Sequence, residues 1–132
     1  MDKLQNDLNF GYACEKSLLK NIQDRFGCDI RKIEEKYSLF DYTNDKNIFI
    51  ELKSRRVSKN QYPTTMVGYN KIRICEKNPS NTYFFVFNFT DGAYFWEYKP
   101  DIALIDKGGR CDRGRSEIKK YAFIPVDVLT NL

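Results

Sequence analysis

Ile48-Phe49-Ile50-Glu51-Leu52-Lys53 is the clearest strand in the N-terminal half of this 132-residue chain. Its period of two puts Ile48, Ile50 and Leu52 on one face and Phe49, Glu51 and Lys53 on the other. A carboxylate and an ammonium therefore emerge side by side from one pleat. The polar run Thr43-Asn44-Asp45-Lys46-Asn47 just before it reads as a hairpin turn. If that turn is a three-residue loop, Thr43 pairs with Asn47 and Asp41 lies opposite Phe49. Parity then brings Asp41 to the face of Glu51 and Lys53, diagonal to Glu51. An even loop would send it to the other face unless a bulge intervened.

Upstream, residues 28–36 and 37–42 are each of strand length, the first alternating poorly. Residues 4–26 read as a helix whose stripe runs Leu4, Leu8, Tyr12, Glu15, Leu19, Ile22, Phe26, with Gly27 ending it. Glu15 is the one charged residue on that line. An inward carboxylate is costly unless it is paired, metal-bound or at a cleft wall; at the margin of the stripe it would simply reach solvent.

Downstream, residues 57–63 read as a polar connection, and Thr64 or Thr65 as the cap of a helix reaching Lys77, with Gly68 a weak point. Asn78-Pro79-Ser80-Asn81 stops that helix. Residues 83–89, the turn Thr90-Asp91-Gly92-Ala93 and residues 94–98 form a hairpin. The first of its strands is apolar at nearly every position, as a central strand buried on both faces should be. Trp96 and the surrounding rings fit a core better than a base-stacking platform. Residues 106–120 are a Gly- and Arg-rich loop, and 121–129 a short closing strand or turn. The order helix, three strands, helix, two or three strands gives an α/β class with a mixed central sheet flanked by helices, in one domain over residues 1–132.

The chain has no histidine, so Ser-His-Asp and Cys-His catalysis and His-ligated zinc or haem are excluded. Cys14, Cys28, Cys75 and Cys111 are far apart, which argues against a tetrahedral zinc site and for mostly buried thiols in a reducing compartment. No signal-peptide pattern and no apolar run long enough to span a bilayer is present, so an intracellular, cytoplasmic protein with no membrane partner is expected. A calcium loop starting at Asp41 fails, because Lys46 stands where glycine is needed and Glu51 arrives one residue early. No phosphate-binding glycine motif occurs.

The net charge of +4 is unevenly spread. Residues 1–50 carry −1, residues 51–77 carry +5 and residues 106–120 carry +3. Two basic segments on a near-neutral background suit a polyanion-facing surface, although Lys and Arg also coat ordinary exposed faces.

Asp41 and Glu51 repel each other unless a cation lies between them. Oxygen donors without imidazole favour Mg²⁺ or Mn²⁺. Lys53 beside them could orient or deprotonate a water, or neutralise an attacked phosphate. Metal, carboxylates and lysine next to a basic surface describe phosphodiester hydrolysis.

A helix with Glu15, then Asp41, then Glu51-Leu52-Lys53 on the next strand, then a second helix, resembles the PD-(D/E)XK nuclease superfamily over roughly residues 5–98. The resemblance implies the αβββαβ restriction-endonuclease-like core and a metal-dependent deoxyribonuclease, endonuclease before exonuclease. It makes Asp41 and Glu51 metal ligands, with the Leu52 carbonyl a third, Lys53 the catalytic lysine, and Glu15 a further carboxylate of the metal site. Phe40 stands where the motif has proline. The small size is similar to that of minimal members such as Holliday junction resolvases, which are compact, basic homodimers. Arg55, Arg56, Lys59, Lys71 and Arg73 would then contact DNA phosphates. Arg110, Arg113 and Arg115 would clamp a second strand, or belong to a solvated connection. Tyr69 and Asn70 face either core or cleft. The rival is a non-catalytic nucleic-acid-binding domain on the same fold. Abundant Lys, Asn, Ile, Tyr and Phe fit an AT-rich genome such as that of a virus or phage.

Overall fold

A computed structural model of the chain describes residues 18–101, 104–108 and 119–132. Its first helix, α1, occupies residues 18–26, and Gly27 follows at φ +133°, a conformation that glycine adopts without strain. Next come β1 (Arg31–Lys32), β2 (Tyr42–Thr43), β3 (Ile48–Ser54), β4 (Thr64–Gly68), α2 (Tyr69–Lys77), β5 (Thr82–Phe89) and β6 (Gly92–Glu97). The chain closes with β7 (Leu104–Gly108), β8 (Lys119–Pro125), a 3₁₀ turn (Val126–Val128) and β9 (Thr130–Asn131).

Six strands form a mixed sheet in the order β1-β2-β3-β5-β6-β9. Only β3 and β5 run parallel, and the segment crossing between them contains β4 and α2. The class is therefore α/β with a mixed sheet, as expected. β5 lies between β3 and β6, and Tyr83, Phe85, Val86, Phe87 and Phe89 are buried along it. Side chains alternate between two cores. On one face α1 supplies Leu18 and Ile22 against Tyr42, Ile50 and Val86, with Ile48 and Leu52 packed alongside. On the other, Phe85, Phe87 and Trp96 pack with Ile72 and Cys75 of α2, Val67 of β4, and Ala122 and Ile124 of β8. Trp96 is thus a core residue.

Several expectations are corrected. Of the two strands expected over 28–36 and 37–42, only Arg31–Lys32 and the final residue, Tyr42, are extended. The helix expected from Thr64 begins at Tyr69, because Thr64–Gly68 pairs antiparallel with β8. Its Thr65 and Val67 are buried while Met66 faces out, the alternation of a strand. The 90–93 turn is two residues shorter, since Phe89 pairs with Gly92. Residues 106–108 and 119–120, expected in a loop, belong to β7 and β8. A second sheet of order β4-β8-β7 results, which the expected element order lacked. Of the cysteines, Cys75 is buried but Cys28 is exposed, and Cys14 and Cys111 lie outside the described residues.

Candidate metal centre

The turn before β3 fixes where Asp41 comes to lie. The Asn44 side-chain oxygen accepts from the N–H groups of Lys46, Asn47 and Ile48 at 2.9, 3.0 and 2.9 Å. Asp45 takes φ +62° and its carboxylate holds Arg31 of β1 in two contacts of 2.7 and 2.6 Å. The resulting loop is longer than three residues: Thr43 pairs with Phe49 rather than Asn47, and Tyr42 with Ile50. The count stays odd, and a regular continuation of this register would carry Asp41 from opposite Phe49 to opposite Glu51. Its own N–H also donates to Ile50 O at 2.9 Å. Asp41 and Tyr42 therefore both oppose Ile50, a bulge that ends the ladder and re-aims the Asp41 side chain.

Released from the ladder, the Asp41 carboxylate replaces the missing strand. Its Oδ2 accepts from the Leu52 N–H at 2.8 Å. A strand residue sends N–H and C=O to the same neighbour, so the Leu52 carbonyl emerges at this edge beside Asp41. On the face towards α2, Glu51 is only 5% exposed. Lys53 Nζ is 3.2 Å from its Oε1, and Lys71 Nζ is 3.3 Å from its Oε2. Burial, with the Asp41 charge next, pushes the Glu51 pKa above the usual glutamate range, while Lys53 and Lys71 pull it back.

Ionising Glu51 therefore costs the folded state more than the unfolded one. The stability tied to its protonated form is complete below the ordinary glutamate pKa and lost as pH rises through the raised folded value. Glu51→Gln, which cannot ionise, is accordingly expected to melt above wild type at pH 7 in EDTA. The difference should shrink towards zero by about pH 4. A lower melting temperature for the variant at pH 7 would contradict this.

The donor set suits a hard divalent ion. Two carboxylates and a carbonyl offer only oxygen, and Mg²⁺ is commonly held by one or two carboxylates with water and substrate phosphate. The buried Cys75 thiol, its pKa pushed up to about 12 by burial, is no competing ligand. Among the described residues no three Asp, Glu or Cys side chains converge as a ready cage. Glu15, expected to complete the acidic cluster, lies outside the described residues, as do Arg110, Arg113 and Arg115.

The expected phosphate contacts separate. Arg56 and Arg73 are exposed. Arg55 Nη2 donates to Met66 O at 2.6 Å, so this guanidinium ties β4 to the end of β3. The Lys59 ammonium lies 5.0 Å from the Tyr94 ring centroid. Arg55, Arg56, Lys59, Tyr62, Met66 and Phe123 line one groove. Lys71 is displaced furthest from expectation: its side chain is 15% exposed and engaged with Glu51, so it belongs to the centre and not to an outer basic face. Spacing could not reveal this, because the pairing depends on where α2 starts. Tyr69 packs against the core, and Asn70 is exposed.

No helix among the described residues is long and apolar enough to cross a membrane. A family model described as "Phage putative PDDEXK endonuclease" matches residues 8–131. No curated protein and no solved structure matches the chain.

Proposed function

The chain belongs to this phage PD-(D/E)XK endonuclease family, with a restriction-endonuclease-like α/β fold, and we propose that it is a divalent-metal-dependent nuclease hydrolysing phosphodiester bonds in DNA. One observation carries the reading: Asp41, Glu51 and Lys53 meet at the free edge of β3, where the Leu52 N–H anchors Asp41 and Lys53 lies 3.2 Å from Glu51.

Asp41, Glu51 and the Leu52 carbonyl would hold Mg²⁺ or Mn²⁺. Such an ion, when bound, lowers the pKa of a ligated water and neutralises charge on the attacked phosphate. Asp41 is pre-oriented by its bond to the Leu52 N–H, so little side-chain freedom remains to be lost on ligation. Lys53, about one-third exposed, has its ammonium where it can orient the attacking water or offset charge on the phosphate. Glu15 enters the reading as a further carboxylate of this centre.

The groove lined by Arg55, Arg56 and Lys59 supports a nucleic-acid substrate. It begins two residues beyond Lys53, just past the end of β3, about 6–7 Å along the chain. A backbone phosphate next to the one being cut falls within that reach. These contacts position the strand without reading bases, and binding should weaken steeply with salt. Arg73 and the arginines Arg110, Arg113 and Arg115 would add phosphate contacts. A homodimer acting in the phage-infected cell, with a branched substrate of the Holliday-junction kind, completes the reading.

The test incubates single-stranded, duplex, flap and four-way-junction DNA, and matched RNA, with Mg²⁺, Mn²⁺ or EDTA. Cleavage of at least one DNA with metal and none in EDTA is expected. Binding without cleavage under every condition would favour the non-catalytic rival, and cleavage of RNA alone would overturn the DNA assignment.

A further inference from the structure

Lys71 is the third residue of α2, in the first turn of a nine-residue helix. A cation is unfavourable there, because the helix N-terminus carries the positive end of the macrodipole. That turn has no acidic residue, and its N-cap, Gly68, supplies no side-chain bond. Nothing local to α2 therefore accounts for a lysine at this position. Its surroundings do. The ammonium is 3.3 Å from Glu51 Oε2 and 5.3 Å from the centroid of Phe40. Phe40 is itself 6% exposed and directly precedes Asp41 in sequence. One buried ring thus seats Lys71 over the carboxylate, from the residue adjacent to the second carboxylate.

With Lys53 on Oε1 and Lys71 on Oε2, both oxygens of Glu51 are engaged by ammonium groups. The two carboxylates and two lysines sum to zero charge. A divalent cation added to that set leaves two excess positive charges in a largely buried position, unless an ammonium moves out. Both ammonium groups sit on flexible four-carbon stems. Lys53 shares β3 with Glu51 and serves the attacking water in the proposed function, which leaves Lys71, carried by the separate element α2, as the group to withdraw.

We propose that Lys71 is a resident counter-ion of the metal centre, holding one oxygen of Glu51 in the metal-free protein and releasing it when a divalent cation binds. It is a positioning residue, and it acts through Glu51. The device keeps a buried carboxylate paired before metal arrives, and it opposes metal uptake. Removing Lys71 therefore tightens metal binding, the reverse of what damage to the site would do.

This inference rests on the proposed metal-dependent function, and the test separates the two. Mn²⁺ is titrated calorimetrically into wild type, Lys71→Met, Lys71→Arg and Glu51→Gln, without nucleic acid. The expected result is a Kd about 3–10-fold lower for Lys71→Met than for wild type, from the loss of one competing charge pair. Lys71→Arg, which keeps the cation, should stay near wild type, and Glu51→Gln should not bind. The rise in melting temperature with saturating Mn²⁺ should also be larger for Lys71→Met. Lys71→Gln, uncharged but with a hydrogen-bond donor on a shorter stem, gives the same comparison if the methionine variant does not fold. An unchanged or weaker affinity in Lys71→Met, or in Lys71→Gln where it stands in, with Glu51-dependent binding in wild type, overturns the inference alone. No Mn²⁺ uptake by wild type overturns it together with the metal-dependent reading.

Discussion

Lys53→Met is expected to lower the rate of DNA cleavage by about 10²–10⁴-fold, the range for losing a positioned proton-transfer or charge-stabilising group. Mn²⁺ binding should survive, because Asp41, Glu51 and the Leu52 carbonyl remain. The reasoning is geometric. Lys53 shares its face of β3 with Glu51 and places Nζ 3.2 Å from that carboxylate, yet about a third of its side chain reaches solvent. A purely structural lysine would be replaced with a change in melting temperature and little change in rate. Single-turnover cleavage at saturating metal separates these roles, since it isolates the chemical step from metal affinity. A variant cutting within a few-fold of wild type would remove Lys53 from the chemistry.

Phe85→Ala should produce the largest loss of stability. Phe85 is fully buried on the central strand β5, pairs in register with Glu51, and packs its ring 5.6 Å from Trp96 and 6.4 Å from Phe40. Truncating a buried phenylalanine costs about 3–5 kcal/mol through lost transfer energy and the cavity left behind. Against a typical total of about 5–15 kcal/mol, that is a large share. A fall in melting temperature of about 10–20 °C follows for a chain of this size. Because Phe85 is the register partner of Glu51 on the neighbouring strand, metal affinity should fall as well. A fall under about 3 °C would mean that this side of the sheet tolerates the cavity.

What the residues disclosed, and what they withheld, follows from the range of the interactions concerned. The β3 pattern was legible because alternation is local: Ile48, Ile50 and Leu52 pack towards α1, leaving Phe49 against the opposite core and Glu51 directed at Lys71 of α2. The nearly continuous apolar run from Tyr83 to Phe89, interrupted only by Asn88, marked a central strand for the same reason. Asp41 was assigned to the correct neighbourhood by parity, but its register was set by Asn44 capping three N–H groups, which lengthened the turn. β4 was misread as helix because its partner, β8, lies more than fifty residues away. The β-branched content of Thr64-Thr65-Met66-Val67, closed by Gly68, was the available local sign of a strand. Moving the helix start to Tyr69 put Lys71 in the first turn and so into the centre. Charge counting had grouped it with Arg55 and Arg73 on a basic surface, and only the fold separates them.

The most direct test of the metal-dependent nuclease reading is cleavage of labelled DNA by wild type and Glu51→Gln in Mg²⁺, with both proteins first shown to be folded by their melting curves. The expected result is cleavage by wild type that EDTA abolishes, with none by Glu51→Gln at any Mg²⁺ concentration. Equal cleavage by the two proteins, or cleavage by neither, would contradict it.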